Sequence, residues 1–194
     1  MAKPQRKKFF EVSMPLVNES YEAIAYSIDE LKGKAVKMDM TRKLKGKGMD
    51  LHFVIKIIDG KAVAVPKRLE LLPFFIRYAM RGGISYVEDS FKTEAKDALV
   101  IIKPFLITRK KVSRAVQRTL RNSSKNWLVD YAKTKTSDEL FEDILSGRLQ
   151  KPLSQKLKKI YPLILCEIRV FQVKKSLEKM PEITENKEAK EKKE

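Results

Sequence analysis

The stretch LHFVIKIIDGKAVAV, residues 51–65, alternates its side chains on either side of a two-residue turn signal. Leu51, Phe53, Ile55 and Ile57 occupy every second position, which is the period of a β-strand with one buried face. The dipeptide Asp59-Gly60 favours a tight hairpin connection. The stretch therefore predicts two antiparallel strands at the centre of a sheet.

A further strand is predicted upstream, in LKGKAVKMDM, residues 31–40. Val36, Met38 and Met40 share one face, whereas Lys37 and Asp39 lie on the other. A shift of one residue would expose a whole apolar set, so the register is strongly specified. We expect six side chains of these strands to face one core: Val36, Met38, Leu51, Phe53, Ile55 and Ile57.

The chain beyond the hairpin predicts a short helix and then more strands. In ELLPFFIRYAMRGG, Pro73 suits the first helical turn and Gly82 suits the end of the helix. ISYVEDSF and DALVIIKPFLIT, residues 84–91 and 97–108, are predicted as strands separated by the polar turn KTEAK.

Helices dominate the next part of the chain. A helical pattern runs from Val112 through Tyr131, with Asn122-Ser123-Ser124 as a candidate break. Thr136 and Glu139 have the spacing of a capping box, and Gly147 suits the end of that helix. One more helix is predicted by the spacing of Leu149, Leu153, Leu157 and Ile160. The final predicted strand is YPLILCEIRVFQV.

This order, strands followed by helices and a closing strand, is typical of α+β proteins. We expect a β-barrel or a strongly curved, antiparallel-rich sheet flanked by helices, with disordered termini. The predicted organisation is a basic N-terminal arm (residues 1–8), a single domain (9–175) and a Glu/Lys-rich disordered tail (176–194).

The charge of the chain points to a polyanionic partner. It contains 42 Lys and Arg against 25 Asp and Glu, a net charge of +17, of which the tail contributes −1 through six Glu and five Lys. Such self-repulsion is relieved by a polyanion, most commonly nucleic acid and next an anionic membrane. The sequence has neither an 18-residue apolar run nor a signal-peptide pattern, and its single cysteine fits a reducing cytoplasm.

The residues that enzyme chemistry requires are scarce. His52 and Cys166 are the only histidine and the only cysteine, and no phosphate-binding glycine motif occurs. Glu139, Glu142 and Asp143 could supply metal ligands, but acidic first turns of a helix are the favoured interpretation. Trp127 and Tyr131 are one helical turn apart. They are interpreted either as core residues or as a platform on which bases stack. We therefore expect no enzyme activity, no metal and no cofactor.

Two segments concentrate the cations. TRKLKGKG, residues 41–48, has four cations, two glycines and no acid. It is either a segment that contacts phosphate or a solvated hairpin tip. Residues 110–121 predict an amphipathic helix with Lys110, Lys111, Arg114, Arg118 and Arg121 on one side and Val112, Val116 and Leu120 on the other. These cations face either nucleic acid or acids elsewhere in the fold.

The C-terminal segment SDELFEDILSGRLQKPLSQKLKKIYPLILCEIRVFQVKK, residues 137–175, resembles the end of a known family. It is similar to the small-subunit ribosomal proteins shared by archaea and eukaryotes, the eS1 or S3Ae family, which end in two helices, Ile-Tyr-Pro-Leu and a basic strand. KKFFEVSMP, LKGKAVKMDM and FLITRKKVSRAVQRTLRN resemble upstream motifs of this family, in the same order. The absence of a long C-terminal extension is typical of archaeal members.

The resemblance implies a β-barrel flanked by helices, seated on the platform of the small ribosomal subunit near the messenger RNA exit. It implies a non-catalytic, cytoplasmic, ribosome-bound protein that binds ribosomal RNA and neighbouring ribosomal proteins, with messenger RNA or initiation factors as further candidate partners. It implies neither a membrane nor a small-molecule substrate. The family's arginine cluster at the end of the first helix is reduced here to Arg77 and Arg81.

Three other functions remain as alternatives: an RNA-binding translation or ribosome-assembly factor that is not a constituent, a peripheral membrane protein, and a nuclease. The predicted basic helix has a small apolar side, which is poor for membrane insertion, and no acid/base pair supports a nuclease. The candidate RNA-binding residues are Lys7, Lys8, Arg42, Lys43, Lys45, Lys47, Arg77, Arg81, Arg109, Lys110, Lys111, Arg114, Arg118 and Arg121.

Overall fold

The computed structural model describes residues 6–58 and 60–176. The predictions of disorder for the two termini therefore concern residues that lie mostly outside the described part. Within it the chain forms a 3-10 helix (Asp29–Leu31), nine strands and four α-helices: β1 (Lys8–Met14), β2 (Glu19–Ala25), β3 (Ala35–Asp39), β4 (Met49–Ile58), β5 (Lys61–Leu71), α1 (Pro73–Ala79), β6 (Tyr86–Glu88), β7 (Phe91–Glu94), β8 (Ala98–Thr108), α2 (Arg114–Lys133), α3 (Ser137–Ser146), α4 (Gln150–Lys158) and β9 (Leu163–Ser176).

The nine strands form one mixed sheet whose main path is β2-β1-β5-β9-β8-β6. Strand β4 pairs with β5 and carries β3, while β7 pairs with β8. Every pairing is antiparallel except β1 with β5. Among the described residues β2, β3, β6 and β7 each have one partner, so the sheet does not close. The α+β prediction is confirmed, and an open sheet replaces the closed barrel that the family resemblance implied.

The central hairpin has the predicted register. Ile58 pairs with Lys61, so two residues connect β4 to β5, although Asp59 itself lies outside the described residues. Gly60 has a φ of +73°, which a left-handed turn position requires. Leu51, Phe53 and Ile55 are buried, while Val36, Met38 and Ile57 are partly buried, so the predicted core face is confirmed.

Helix α1 begins at Pro73 as predicted but ends earlier than the sequence suggested. Met80 already has extended backbone angles, φ −83° and ψ 111°, so the expected end at Gly82 is wrong. The buried residue of the helix is Ile76, whereas Tyr78 is 75% exposed. A short helix depends on tertiary packing, and no buried side chain supports a further turn here.

The segment predicted as the polar turn KTEAK is largely a strand. Phe91 and Thr93 are buried and Lys92 and Glu94 are exposed, which is the alternation of a half-buried strand, β7. The charged residues that suggested a turn occupy its solvent face. Only residues 95–97 connect β7 to β8.

Helix α2 starts later and continues further than predicted. Ser113 is its N-cap, with its hydroxyl accepting a hydrogen bond from the Val116 N–H at 3.5 Å, so Lys110 and Lys111 precede the helix. The placement of those two lysines on its wheel is wrong. The candidate break at residues 122–124 does not occur, because the buried Ser124 hydroxyl donates to the Arg121 carbonyl at 2.8 Å.

Helices α3 and α4 complete the core. Thr136 and Glu139 form the predicted capping box, and Gly147 ends α3 with a φ of +73°. Phe141 packs edge to face on Phe171 of β9, with ring centroids 4.7 Å apart. The leucines predicted for α4, Leu149, Leu153 and Leu157, are buried. Ile160 lies beyond the end of α4 and is 39% exposed. No helix in the described ranges is long and apolar enough to cross a membrane.

Candidate nucleic-acid interface

Four connecting segments meet at one end of the sheet. Met49 at the start of β4 pairs with Leu71 at the end of β5, and Thr108 at the end of β8 pairs with Leu163 at the start of β9. Strand β6 begins beside Ile107. The antiparallel registers therefore bring together the segments before β4, after β5, after β8 and before β9. We call these segments the cationic end: residues 40–48, 72–85, 109–113 and 159–162.

Hydrogen bonds join the four segments to each other and to the adjoining strands. The Leu72 N–H donates to the Gly48 carbonyl at 3.0 Å, and the Arg109 N–H donates to the Pro162 carbonyl at 3.2 Å. The fully buried Thr108 hydroxyl accepts from the Ser85 N–H at 3.1 Å and lies 2.8 Å from the Lys110 carbonyl. Backbone contacts thus hold the basic residues in a fixed arrangement.

The charge of this end is one-sided. Residues 40–48 carry four cations, 72–85 two, 109–113 three and 159–162 one, and none of the four segments contains an acid. At the opposite end of the sheet, residues 6–7, 26–34 and 95–97 together carry five cations and three acids, a net charge of +2 against +10 at the cationic end. The excess charge is therefore concentrated where the segments meet.

The β8–α2 connection and the first turns of α2 present the least compensated cations. Five of these side chains are exposed, and none takes part in an ion pair among the described residues: Arg109, Lys110, Lys111, Arg114 and Arg118. Arg121 is half-buried, and its Nε donates to the Glu88 carbonyl at 3.2 Å. Of the cations predicted to face RNA on this helix, Arg121 is therefore the one whose side chain makes a hydrogen bond within the described part of the chain.

The start of α2 adds a second source of positive potential. Its first turn contains no acidic residue, whereas the first turn of α3 carries Asp138 and Glu139. Unpaired N–H groups and the helix dipole favour an anion at such a terminus. Because Arg109, Lys110 and Lys111 directly precede it, the terminus and these side chains can act on one phosphate chain.

The loop of residues 41–48 divides into free and paired cations. Arg42 and Lys45 are exposed and lie in none of the ion pairs among the described residues. Lys43 lies 2.5 Å from Glu19, and the half-buried Lys47 lies 2.5 Å from Glu167. The latter pair ties the loop to β9.

Helix α1 is packed directly onto this loop. A Cβ at Gly48 would lie 2.4 Å from the tip of the Phe74 ring, so a larger residue there would force this ring to move. Arg77 and Arg81 are exposed, and the Arg81 guanidinium lies 6.0 Å from the centre of the Tyr78 ring. The loop and the helix therefore form one continuous surface.

Lys7 and Lys8 lie apart from the other candidate residues. Strand β1 runs parallel to β5, with Val12 beside Ala62, which places its first residues at the opposite end of the sheet. Lys7 lies over the Tyr26 ring at 5.4 Å. Nine of the fourteen predicted residues thus lie in the cationic end, and Arg114, Arg118 and Arg121 follow on α2, whereas Lys7 and Lys8 are separate.

Sequence reasoning missed basic residues at the end of α4. Lys156, Lys158 and Lys159 are exposed and adjoin the Pro162 carbonyl segment that contacts Arg109. They also complement the negative end of the helix dipole. The run KLKKIYP, next to a family-like motif, was the signal that could have identified them.

The residues considered for other chemistry have structural surroundings. Burial raises the pKa of the Cys166 thiol to about 12. Asp143 is buried and accepts hydrogen bonds from the Tyr131 hydroxyl at 2.9 Å and from Lys135, and Tyr131 stacks on Trp127 at 4.9 Å. In the described ranges no group of three or more metal-ligating side chains occurs.

A fixed cationic surface of this kind, built from four segments that contain no acid, is typical of polyanion-binding proteins. The model of the Ribosomal S3Ae family matches residues 2–176, and the chain belongs to this family. Membership makes it a small-subunit ribosomal protein located on the ribosome in the cytoplasm, and not an enzyme.

Archaeal relatives support the assignment. The chain is 26% identical to small ribosomal subunit protein eS1 of Nanoarchaeum equitans, over 86% of this chain and 88% of that protein. It is 26% identical to the eS1 protein of Desulfurococcus amylolyticus, over 91% and 85% of the two chains. It is 30% identical to the eS1 protein of Haloarcula marismortui, over 79% and 73%.

Proposed function

We propose that this protein is a structural constituent of the small ribosomal subunit that binds ribosomal RNA through the cationic end. The observation that carries the proposal is the meeting of ten cations and no acid on four hydrogen-bonded segments. The matching family supplies the ribosomal context. Neighbouring small-subunit proteins are the second class of partner.

The surface suits contact with the phosphate backbone. Such contacts position a protein on RNA without reading its sequence, which fits a scaffold with a fixed place. Arg109, Lys110, Lys111, Arg114 and Arg118 are the strongest candidates because they have no carboxylate partner among the described residues. Lys43 and Lys47 contribute less, because their acids already neutralise them.

The family resemblance also motivates a finer location. We place the protein on the platform of the small subunit, near the exit of the messenger RNA. At that position messenger RNA and initiation factors are candidate partners. Lys7 and Lys8 lie at the other end of the sheet and belong to no part of the proposed RNA surface.

Sedimentation tests the proposal against the alternative of a transient translation or assembly factor. After a wash in moderate salt, a constituent remains with native small subunits at about one copy per particle. A visiting factor is released or stays well below that ratio. Loss of most copies in the wash would overturn the proposal.

A charge-matched pair of variants connects the sedimentation result to the cationic end. Replacing Arg109, Lys110 and Lys111 by Gln removes about three phosphate contacts and should weaken RNA binding roughly 30-fold near 0.2 M salt. The control replaces Lys32, Lys96 and Lys133, exposed cations away from the cationic end, by Gln. Equal losses in both variants would show that only net charge matters.

A further inference from the structure

The β1–β2 hairpin has a second apolar face that the core does not use. Its inner face buries Val12, Met14 and Ala25. On its outer face Phe9 and Ile24 are directly opposite each other, and they are 69% and 52% exposed. A strand with one solvated face normally places polar residues there. Isolated exposed apolar residues are common, but a cross-strand pair forms a continuous patch.

Two acidic residues flank this patch on the side towards the β1–β2 turn, while Lys7 lies over the Tyr26 ring on its other side. Glu11 and Glu22 form the next outward-facing cross-strand pair, and both are exposed. Like charges directly opposite each other destabilise a sheet. Neither glutamate takes part in an ion pair among the described residues. The isolated hairpin therefore carries both exposed apolar area and unrelieved repulsion.

This combination is the reverse of the cationic end. In a chain of net charge +17, two uncompensated carboxylates beside an apolar pair repel phosphate and attract Lys or Arg. Aromatic and aliphatic anchors surrounded by charge are typical of protein interfaces. The register also places this face near the end of the sheet opposite the cationic surface.

From these features we infer that the outer face of the β1–β2 hairpin is a docking surface for a basic protein. The partner covers Phe9 and Ile24 with an apolar side chain and places Lys or Arg beside Glu11 and Glu22. The inference rests on the proposed function, because within a ribosomal subunit the partner is a neighbouring ribosomal protein. RNA and a second copy of this chain are the competing occupants.

Photo-crosslinking within assembled small subunits identifies the occupant. The photoreactive residue p-benzoylphenylalanine replaces Ile24 in one variant and the exposed Tyr78 of the cationic end in another. The Ile24 probe should crosslink to a polypeptide at a segment containing Lys or Arg. The Tyr78 probe should crosslink to RNA and thus reports on the proposed function alone.

Each result decides between the proposals. Crosslinking of the Ile24 probe to RNA, to a second copy of this chain, or to nothing would overturn the docking surface. If the Tyr78 probe crosslinks to RNA in the same experiment, the proposed function stands. If neither variant enters subunits that incorporate the unmodified chain, the exposed placement of both residues is wrong and the inference falls.

A charge variant tests the acidic part of the surface without a probe on the apolar pair. Changing Glu11 and Glu22 to Gln removes the repulsion and should raise the melting temperature of the free protein by about 1 to 3 °C. The same change should lower the Ile24 crosslinking yield about three- to tenfold, as expected for the loss of two surface ion pairs. An unchanged yield would contradict the role of these glutamates.

Discussion

The Thr108 hydroxyl shows how one buried side chain arranges the candidate interface. Threonine suits the last position of a strand, and its oxygen lies within hydrogen-bond distance of groups from both flanking segments. Ser85 in turn accepts from the Val112 N–H through its side chain at 3.2 Å. The basic residues that follow Thr108 therefore start from a fixed backbone position.

The buried thiol of Cys166 makes the stability of the protein dependent on pH. Because burial raises the pKa of its thiol to about 12, the native protein holds this proton more strongly than the unfolded chain does. The stability associated with the neutral thiol is present below about pH 8.5 and is lost as the pH rises towards 12. At pH 8 the native thiolate fraction is lower by about three orders of magnitude.

A thiol-reactive chromogenic reagent at pH 8 checks this expectation. Cys166 should react about a thousandfold more slowly in the native protein than in denaturant, since only the thiolate is the nucleophile. The variant Cys166→Ala should give no signal, which excludes other reactive groups. A native rate within tenfold of the unfolded rate would show that the side chain is accessible.

Helix α2 has a buried side that packs on the sheet and an exposed cationic side. Its buried residues Leu120, Leu128 and Ala132 face the core, while Arg114 and Arg118 project from the first turns. The buried side fixes the helix on the strands β6 and β7. The exposed cations can then change without loss of packing.

The double variant Arg114→Gln, Arg118→Gln should separate binding from stability. Two lost phosphate contacts should flatten the slope of log affinity against log salt by about 1.4 to 1.8. The melting temperature should remain nearly unchanged, because neither arginine has a carboxylate partner among the described residues. Titrations of small-subunit ribosomal RNA at several salt concentrations, together with thermal melts, measure both quantities.

Two controls accompany that variant. Lys96→Gln with Lys133→Gln removes the same charge at the opposite end of the sheet and should leave the slope largely unaffected. Arg121→Gln removes a hydrogen bond of roughly 1 kcal/mol and should lower the melting temperature by about 2 to 4 °C. If the double variant instead lowered the melting temperature and kept the slope, these arginines would be structural.

Sequence patterns predicted the elements better than their ends. The period-two alternation of residues 51–57 determined the sheet register because a one-residue slip would expose the core. Local signals failed where tertiary contacts override them: Ser124 is satisfied inside α2, and the charged residues of β7 occupy its outer face. The open edge of the sheet depends on strand pairing between distant segments, which no local pattern encodes.

The candidate site was predictable in content but not in arrangement. Basic, acid-free segments were visible in the sequence, and nine of the fourteen residues lie in the four segments at one end of the sheet, with three more on α2. The carboxylate partners of Lys43 and Lys47 come from β2 and β9, which are remote in sequence. Their compensation therefore required the fold, as did the separation of Lys7 and Lys8 from the rest.

The excess positive charge and the exposed pair Phe9 and Ile24 occupy different ends of the sheet. This separation predicts that RNA and protein partners act on different parts of the backbone. The acid-free end accounts for ten of the cations, and phosphate would relieve their mutual repulsion. The outer face of the β1–β2 hairpin, with Phe9 and Ile24, would not contact RNA.

Hydrogen exchange resolves these two effects along one chain. With deproteinised small-subunit ribosomal RNA, amides of residues 41–48 and 109–113 should exchange at least about tenfold more slowly than in the free protein. Residues 95–97 and the β1–β2 hairpin should stay within about twofold, provided that their exchange occurs by local opening. We expect core amides of β8 to exchange only when the whole protein unfolds. RNA that binds the native state slows their exchange by mass action, so these amides measure the overall strength of binding.

Salt and complete subunits supply the decisive comparison. At 1 M salt the Debye length falls to about 3 Å, so the RNA-induced protection of the cationic end should largely disappear. In assembled subunits the hairpin should become protected as well, because its protein partner is then present. Unchanged exchange of residues 41–48 and 109–113 with RNA would contradict the RNA surface. Hairpin protection by RNA alone would contradict the docking surface, so each proposal can fail while the other stands.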